Sequence, residues 1–303
     1  MSVVLEKARE ICANIPVHGS FADRAKWLLG EESVDRPFVR FHSNGVAYYA
    51  AKLSTFIGMD PGKVEEIHFG SILHDIGKLA VPDEILRYPG KLPPDLMGHM
   101  KKHAEAGDLL LGEDAPSVVR NITRYHHERY DGLGYFGLRG EDIPLEARIV
   151  QIADVHNALM EKRDYKADLG EEQTLLLMTQ NPPERAQFGR FNFDPYLLRR
   201  FVTMRLVDID FNASLSDEGR KALVEYANSH PMSDFDDRLV DGWKIDANGN
   251  RCYKYIDEVT GHEKTGEIRN ARGALIFVAG PRAEQLSTPN AEQEEDCTSK
   301  FTR

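Results

Sequence analysis

Gly70-Ser-Ile-Leu-His-Asp-Ile-Gly-Lys78 sets a histidine and an aspartate side by side inside an otherwise apolar run. Burying that polar pair without partners costs several kcal/mol, so the fold that closes over it must satisfy it, and a metal ion is the obvious candidate. Upstream, Asp60-Pro61 reads as an N-cap followed by proline at the first helical position, which makes the run part of a helix carrying His68, His74 and Asp75. Lys78 follows Asp75 by three residues and shares its face if the helix continues; if Gly77 ends the helix, a turn aims it instead.

Working outward, Pro37 opens a helix with Phe38, Phe41, Val46, Tyr49 and Leu53 at helical spacing, closed by Gly58 and carrying His42. Asp95 to about Gly112 reads as a helix with His99 and His103. Pro116 opens another, which runs through Val118, Val119 and Ile122 to Tyr125-His-His-Glu128 and gives way to the glycine-rich loop Asp131-Gly-Leu-Gly-Tyr-Phe-Gly137. Adjacent helical residues point about 100° apart, which would separate His126 from His127. Glu146 to about Glu161 is a further helix, with Ile149, Ile152, Ala153, Leu159 and Met160 on its core face and Asp154 beside it. More helices follow around Glu171 to Met178, around Asp194 to Leu206, and up to His230-Pro231.

The two ends differ in character. Residues 1–35 read as two short helices, the second starting at the capping-box-like Ser20-Phe-Ala-Asp23 and ending before Gly30. Trp243-Lys-Ile and Cys252-Tyr-Lys-Tyr-Ile256, with turn residues between and after, predict a three-stranded antiparallel meander. The polar, acidic stretch from Arg282 reads as a disordered tail. The expected fold is mainly α, a helical bundle with a small C-terminal antiparallel β-meander. The expected segments are 1–35 as an N-terminal helical segment, 36–232 as the catalytic domain, 240–281 as the β-appendage and 282–303 as the tail.

A formal charge of −11 over 303 residues argues against duplex nucleic acid, whose binding relies on lysine and arginine neutralising phosphates. No run approaches the roughly 20 apolar residues of a membrane helix. The N-terminus lacks the pattern of a signal peptide, so the expected location is the cytoplasm. Cys12, Cys252 and Cys297 are far apart and form no Cys-x-x-Cys pair, so a metal site here is built from nitrogen and oxygen.

His42, His74, Asp75, His103, His126, His127 and Asp154 fall on separate predicted helices of one bundle, and inward-facing imidazoles and carboxylates on facing helices are how bundles build metal sites. An aspartate can bridge two ions with its two oxygens, so a two-metal site is the natural reading. Two ions roughly 3.5–4 Å apart can generate a nucleophile from water and neutralise the oxygens of an attacked phosphate. Iron, manganese and zinc all suit such ligands.

His74-Asp-Ile-Gly-Lys78, His126-His-Glu-Arg-Tyr-Asp-Gly-Leu-Gly-Tyr135 and Ala147-Arg-Ile-Val-Gln-Ile-Ala-Asp154 together resemble the HD-GYP family of bacterial cyclic-di-GMP phosphodiesterases, within the HD superfamily of metal-dependent phosphohydrolases. The likeness continues through Met100-Lys-Lys-His103 and Arg163-Asp-Tyr-Lys166 to Phe193-Asp-Pro195. It implies an HD-domain bundle in which His42, His74, Asp75, His103, His126, His127 and Asp154 hold two divalent ions, iron or alternatively manganese, with Asp75 bridging. It further implies Asp75 and Lys78 as the catalytic pair, and Tyr135, Arg163 and Lys166 in contact with a cyclic dinucleotide that is opened to the linear form and, in some members, cut to the mononucleotide.

Three positions depart from the family pattern. The signature Gly-Tyr-Pro reads Gly134-Tyr-Phe136, the position of a third-metal glutamate is Phe38, and Asn157 replaces an aspartate. The alternative readings are an HD-superfamily phosphohydrolase for another nucleotide, a cyclic-dinucleotide sensor that signals to a protein partner through the β-module, and di-iron redox chemistry. His18, His68, His99, His156, His230 and His262 are read as structural or exposed, with His156 also placed to contact a ligand residue.

Overall fold

The computed structural model describes residues 2–15, 19–35, 37–161, 169–180 and 192–228, with the backbone of strands at 243–245, 251–256, 263–269 and 275–278. The chain divides into two units, Met1–Pro231 and Met232–Arg303.

The first unit is helical. α1 (Val3–Asn14) and α2 (Phe21–Asp35) precede α3 (Pro37–Phe56) and α4 (Pro61–Leu73). A 3-10 turn, Ile76–Ala80, leads to α5 (Asp83–Leu86), α6 (Pro94–Lys101), α7 (His103–Leu111) and α8 (Ser117–Tyr125). After a loop come α9 (Leu145–Met160), α10 (Gly170–Thr179), α11 (Pro195–Leu206), α12 (Ile209–Ser214) and α13 (Asp217–Asn228). α3 packs on α4 and α9, α4 on α8, and α7 on both the 3-10 turn and α8.

α4 starts as its sequence predicts, with Asp60 accepting the Gly62 N–H at 2.9 Å and Pro61 at the first helical position. It stops at Leu73. His74 is still helical, but Asp75 has φ −100° and ψ 8°, the sparsely populated bridge region, and the chain continues as the 3-10 turn. Lys78 is therefore aimed by a turn.

Two glycines explain why the turn sits where it does. A Cβ on Gly77 would strike the His103 carbonyl oxygen and lie 2.5 Å from the Gly107 nitrogen, so only glycine lets the turn pass against α7. A Cβ on Gly70 would lie 2.6 Å from Ile122 Cδ1, so α4 and α8 also cross in near backbone contact. These crossings draw the chain segments at residues 74–75, 103 and 126 together.

The N-terminal helices belong to the same core. Val4, Leu5, Ala8, Ala25 and Leu28 pack with Leu73, Ile76, Leu110 and Leu111 in one buried cluster. Arg24 donates to the Leu111 carbonyl at 2.8 Å. The cap at Ser20 forms, its N–H bonding Asp23 Oδ2 at 3.1 Å. However, α2 runs through Gly30 to Asp35, because the buried face of Ala25, Leu28 and Glu32 continues past the glycine.

Two other expectations change. The buried stripe of α3 runs through Val39, His42, Ser43, Val46, Ala50 and Leu53, so Phe38 and Phe41 fall beside it and are 47% and 76% exposed. The single helix expected over 95–112 breaks at Lys102, whose N–H bonds the His99 carbonyl at 3.0 Å in a tighter turn before α7 begins.

The fold class is corrected at the C-terminus. The described residues of the first unit contain no strand, and the second unit does not form the expected three-stranded meander. Its strands β1 (Trp243–Ile245), β2 (Arg251–Ile256), β3 (Glu263–Arg269) and β4 (Leu275–Val278) make a four-stranded antiparallel sheet in the order β1-β2-β3-β4. The extra strand comes from Leu275-Ile-Phe-Val278, an apolar run with β-branched and aromatic residues. The predicted tail at 282–303 lies outside the described residues.

Candidate metal centre

Each histidine of the central group is locked by its own backbone. His74 Nδ1 lies 2.7 Å from the Ser71 carbonyl oxygen, His103 Nδ1 2.8 Å from that of Met100, and His126 Nδ1 3.0 Å from that of Thr123. A carbonyl oxygen only accepts, so Nδ1 carries a proton in each ring, and it is Nε2 that presents a lone pair when the ring is neutral.

Those lone pairs converge. The Nε2 atoms of His103 and His126 are 3.4 Å apart, and they lie 3.2 and 3.7 Å from Asp75 Oδ1. His74 Nε2 is 3.3 Å from Asp75 Oδ2. Although His74 and Asp75 are buried, neither His74 Nε2 nor Asp75 Oδ1 has a hydrogen-bond partner. Acceptor atoms packed this closely repel one another unless a cation lies among them, so the donor set fits metal ions.

Among the described residues three ligand groups have donor atoms within 4.8 Å of one another: Asp75, His103, His126 and His127; His42, His74 and Asp75; and His74, His126 and Asp154. Asp75 joins the first two, the placement expected of a bridge. α8 ends at Tyr125 with His126 as its C-cap, and the rings of His126 and His127 lie 4.0 Å apart in one ligand group.

On the α3 side, His42 Nε2 lies 2.9 Å from Asp154 Oδ1 on α9, and Nδ1 lies 2.9 Å from Glu161 Oε1. Asn157, one turn beyond Asp154, donates to Glu161 at 2.6 Å and packs against His42 Nδ1 at 2.9 Å. The departure at Asn157 thus touches a candidate ligand's orienting group. Sequence reasoning missed Glu161, although its position seven residues after Asp154, two turns along one helix face, is a usable signal.

Electrostatics favour cation-binding states at Asp75, Asp154, His103 and His127, whereas His42 is held in its protonated form. Burial pushes the Asp75 carboxyl up, but Lys78 and His74, with His103 and His126, outweigh it and hold it well below the carboxylate range. For Asp154 burial also raises, and the hydrogen bond and charge of His42 win, so it too is lowered. Burial lowers His103, and burial together with the neighbouring imidazoles lowers His127, which keeps both rings neutral. Burial would lower His42 as well, but its bonds to Asp154 and Glu161 raise it to about 9.

Lys78 Nζ bonds Asp75 Oδ2, and its side chain is 23% exposed. The Tyr135 ring lies over His127, with centroids 4.5 Å apart and planes inclined 35°, and is 6.2 Å from His103. Lys101 Nζ stands 5.0 Å from the centre of the Tyr135 ring. Arg163 and Lys166 lie outside the described residues, as do His18, His230 and His262. His68 is exposed and His99 half-buried, both apart from these ligand groups. His156 is buried on another side of α9 among Tyr49, Phe201 and Glu171, where it touches no candidate ligand.

The model of the HD domain family matches residues 21–186, more than half of the chain and the span that holds every candidate ligand. The chain belongs to the HD-domain family. A 3'3'-cGAMP-specific phosphodiesterase of Vibrio cholerae serotype O1 is 38% identical over 180 residues, 58% of this chain and 33% of that protein. A cyclic di-GMP phosphodiesterase response regulator of Xanthomonas campestris pv. campestris is 41% identical over 154 residues, 50% of this chain and 39% of that protein. A cyclic di-GMP phosphodiesterase of Thermotoga maritima is 37% identical over 129 residues, 41% and 35% of the two chains. Matches with these relatives span only 33% to 39% of their length. Their names agree with the resemblance to the HD-GYP family. No helix among the described residues is long and apolar enough to cross a membrane.

Proposed function

We propose that this HD-domain chain is a metal-dependent phosphodiesterase that opens a cyclic dinucleotide, with cyclic di-GMP the first choice, to its linear form. Onward cleavage to the mononucleotide is a second step within the same reading. The observation that carries it is the pair of ligand groups sharing Asp75, set beneath the Tyr135 loop.

In this reading His42, His74, Asp75 and Asp154 hold one ion, and Asp75, His103, His126 and His127 hold the other. Iron is the first choice and manganese the second. Bound there, the ions supply Lewis acidity and lower the pKa of a water molecule. Asp75 and Asp154 stay ionised, while His103 and His127 stay neutral, so these groups offer lone pairs without first losing a proton. Lys78, held on Asp75 and partly exposed, faces a bound phosphate and offsets charge that develops on it. Tyr135 walls one side of the site. Arg163 and Lys166 contact the dinucleotide.

A mixed purine cyclic dinucleotide is the second reading, favoured by Phe136 in the signature loop and by the relative named for 3'3'-cGAMP. The protein works in the cytoplasm without duplex nucleic acid, and its C-terminal sheet engages a protein partner.

The test is turnover by anaerobically purified protein loaded with iron or manganese, on cyclic di-GMP, mixed cyclic dinucleotides and mononucleotides. The expected product is the linear dinucleotide, and Asp75→Ala protein loses both metal and activity. Activity confined to mononucleotides, or tight binding with no turnover under any metal loading, overturns the proposal.

A further inference from the structure

The loop after the double histidine is held by an acid that the proposed chemistry does not use. Glu128 is 1% exposed. Its Oε1 accepts the Phe136 N–H at 2.6 Å and its Oε2 accepts the Leu138 N–H at 2.7 Å. A buried carboxylate is costly unless hydrogen-bonded, and short bonds from backbone N–H groups to a charged oxygen are among the stronger ones.

The loop folds tightly over this residue. A Cβ on Gly134 would lie 2.5 Å from Glu128 Cα and 2.7 Å from the Arg129 nitrogen, so the returning strand of the loop has room for no side chain there. Asp131 shapes the outward turn by accepting the Leu133 N–H at 3.1 Å and pairing with Arg129 Nε and Nη2 at 3.0 and 2.5 Å. Between Gly134 and the first clamped amide stands Tyr135, laid over His127. Phe136 turns elsewhere, its ring 5.6 Å from that of Tyr125 and 4.9 Å from the Arg124 guanidinium.

The residue at 136 decides how such a loop can be held. A proline there restricts φ but has no N–H, and it could not donate to Glu128. Phenylalanine leaves φ free and supplies the donor.

We infer that Glu128 is a positioning residue whose two backbone hydrogen bonds hold Tyr135 against the metal centre, and that the Phe136 N–H bond does here what a proline ring would do by stiffening the loop. The consequence for substrate rests on the phosphodiesterase reading; the clamp itself does not.

The experiment compares the full chain with Glu128→Gln, Phe136→Ala, Phe136→Pro and the double variant Glu128→Gln/Phe136→Pro. Amide hydrogen exchange at position 138 and, in the variants without Phe136→Pro, at position 136, together with metal content, and KM and kcat on cyclic di-GMP are measured. Glu128→Gln keeps the shape but turns an amide N–H₂ toward one donor. It is expected to speed exchange at both amides at least tenfold and raise KM about tenfold, with kcat within threefold and metal content unchanged. Phe136→Ala, which keeps the N–H, exchanges like the parent. Adding Glu128→Gln to Phe136→Pro raises KM less than threefold, because one of the two bonds is already gone. Unchanged exchange in Glu128→Gln overturns the clamp. Faster exchange with unchanged KM overturns the positioning role. A parent inactive on every cyclic dinucleotide overturns the phosphodiesterase reading, and exchange still decides the clamp.

Discussion

Glu32 on α2 is buried at 1% exposure, and neither of its carboxylate oxygens has a hydrogen-bond partner. Burial, joined by the negative charge of Asp75 and opposed by Arg40 and Lys78, pushes its carboxyl from 4.5 up to about 7. A raised carboxyl means that the folded state holds a proton which the unfolded state has released between those two values. Stability therefore falls as pH rises from 4.5 to about 7 and stays reduced above. The loss amounts to about 3 kcal/mol at pH 8. In metal-free protein, Glu32→Gln should be more stable than the parent by that order at pH 8 and close to it at pH 4.5, as read by denaturant unfolding. A difference that does not change with pH would sink this account. Other residues were legible in advance because their types are distinctive: seven histidines and aspartates spaced along predicted helices named the groups that converge. Glu128 and Glu32 were not legible as partners, since a lone glutamate in a helix looks like a solvated charge until its surroundings are known.

At the scale of elements, the break in α4 matters most. The Gly70–Lys78 run reads as helix by apolar content, yet the helix ends at Leu73 and a 3-10 turn carries Lys78. The turn lies in near backbone contact with α7, and that contact holds His103 Nε2 at 3.2 Å from Asp75 Oδ1. Gly77→Ala should force the two apart. The expected result is a loss of about 3 kcal/mol of stability, the upper part of the range for overpacking, with metal content falling at the same time. Denaturant unfolding and elemental analysis measure both, and a variant that keeps full metal content would show that the contact does not set the site. Gly77 was recognised in the sequence as a possible helix terminator; the carbonyl it packs against, 26 residues later at His103, was not visible there.

For the whole molecule, ligands that bind only the folded state stabilise it by mass action. The candidate ligands come from five places, namely α3, the junction after α4, α7, the end of α8 and α9, and the unfolded chain has no such cluster. At metal concentrations about 1,000 times the dissociation constant the gain is about 4 kcal/mol. For a helical unit of this size that corresponds to a Tm shift of roughly 10 °C. Chelation should lower Tm by that order and re-addition of metal should restore it, as followed by calorimetry. An unchanged Tm would mean that the cluster is not coupled to folding through metal.

The sequence by itself determined the starts of α3, α4, α8 and α11, the side-chain types of the centre and the likeness to HD-type phosphohydrolases, because caps, apolar periodicity and motif order are local properties of the chain. Tertiary structure alone decided that α4 stops before Asp75, that His126 and His127 face one centre, and that Glu128 holds the loop bearing Tyr135. Each of these depends on which backbone lies across from which, at glycines that only reveal their neighbours once the helices have crossed. The pair His74-Asp75 illustrates both halves: its polarity inside an apolar run announced a ligand site, and the convergence of bare nitrogen and oxygen lone pairs around it could be seen only in the folded chain.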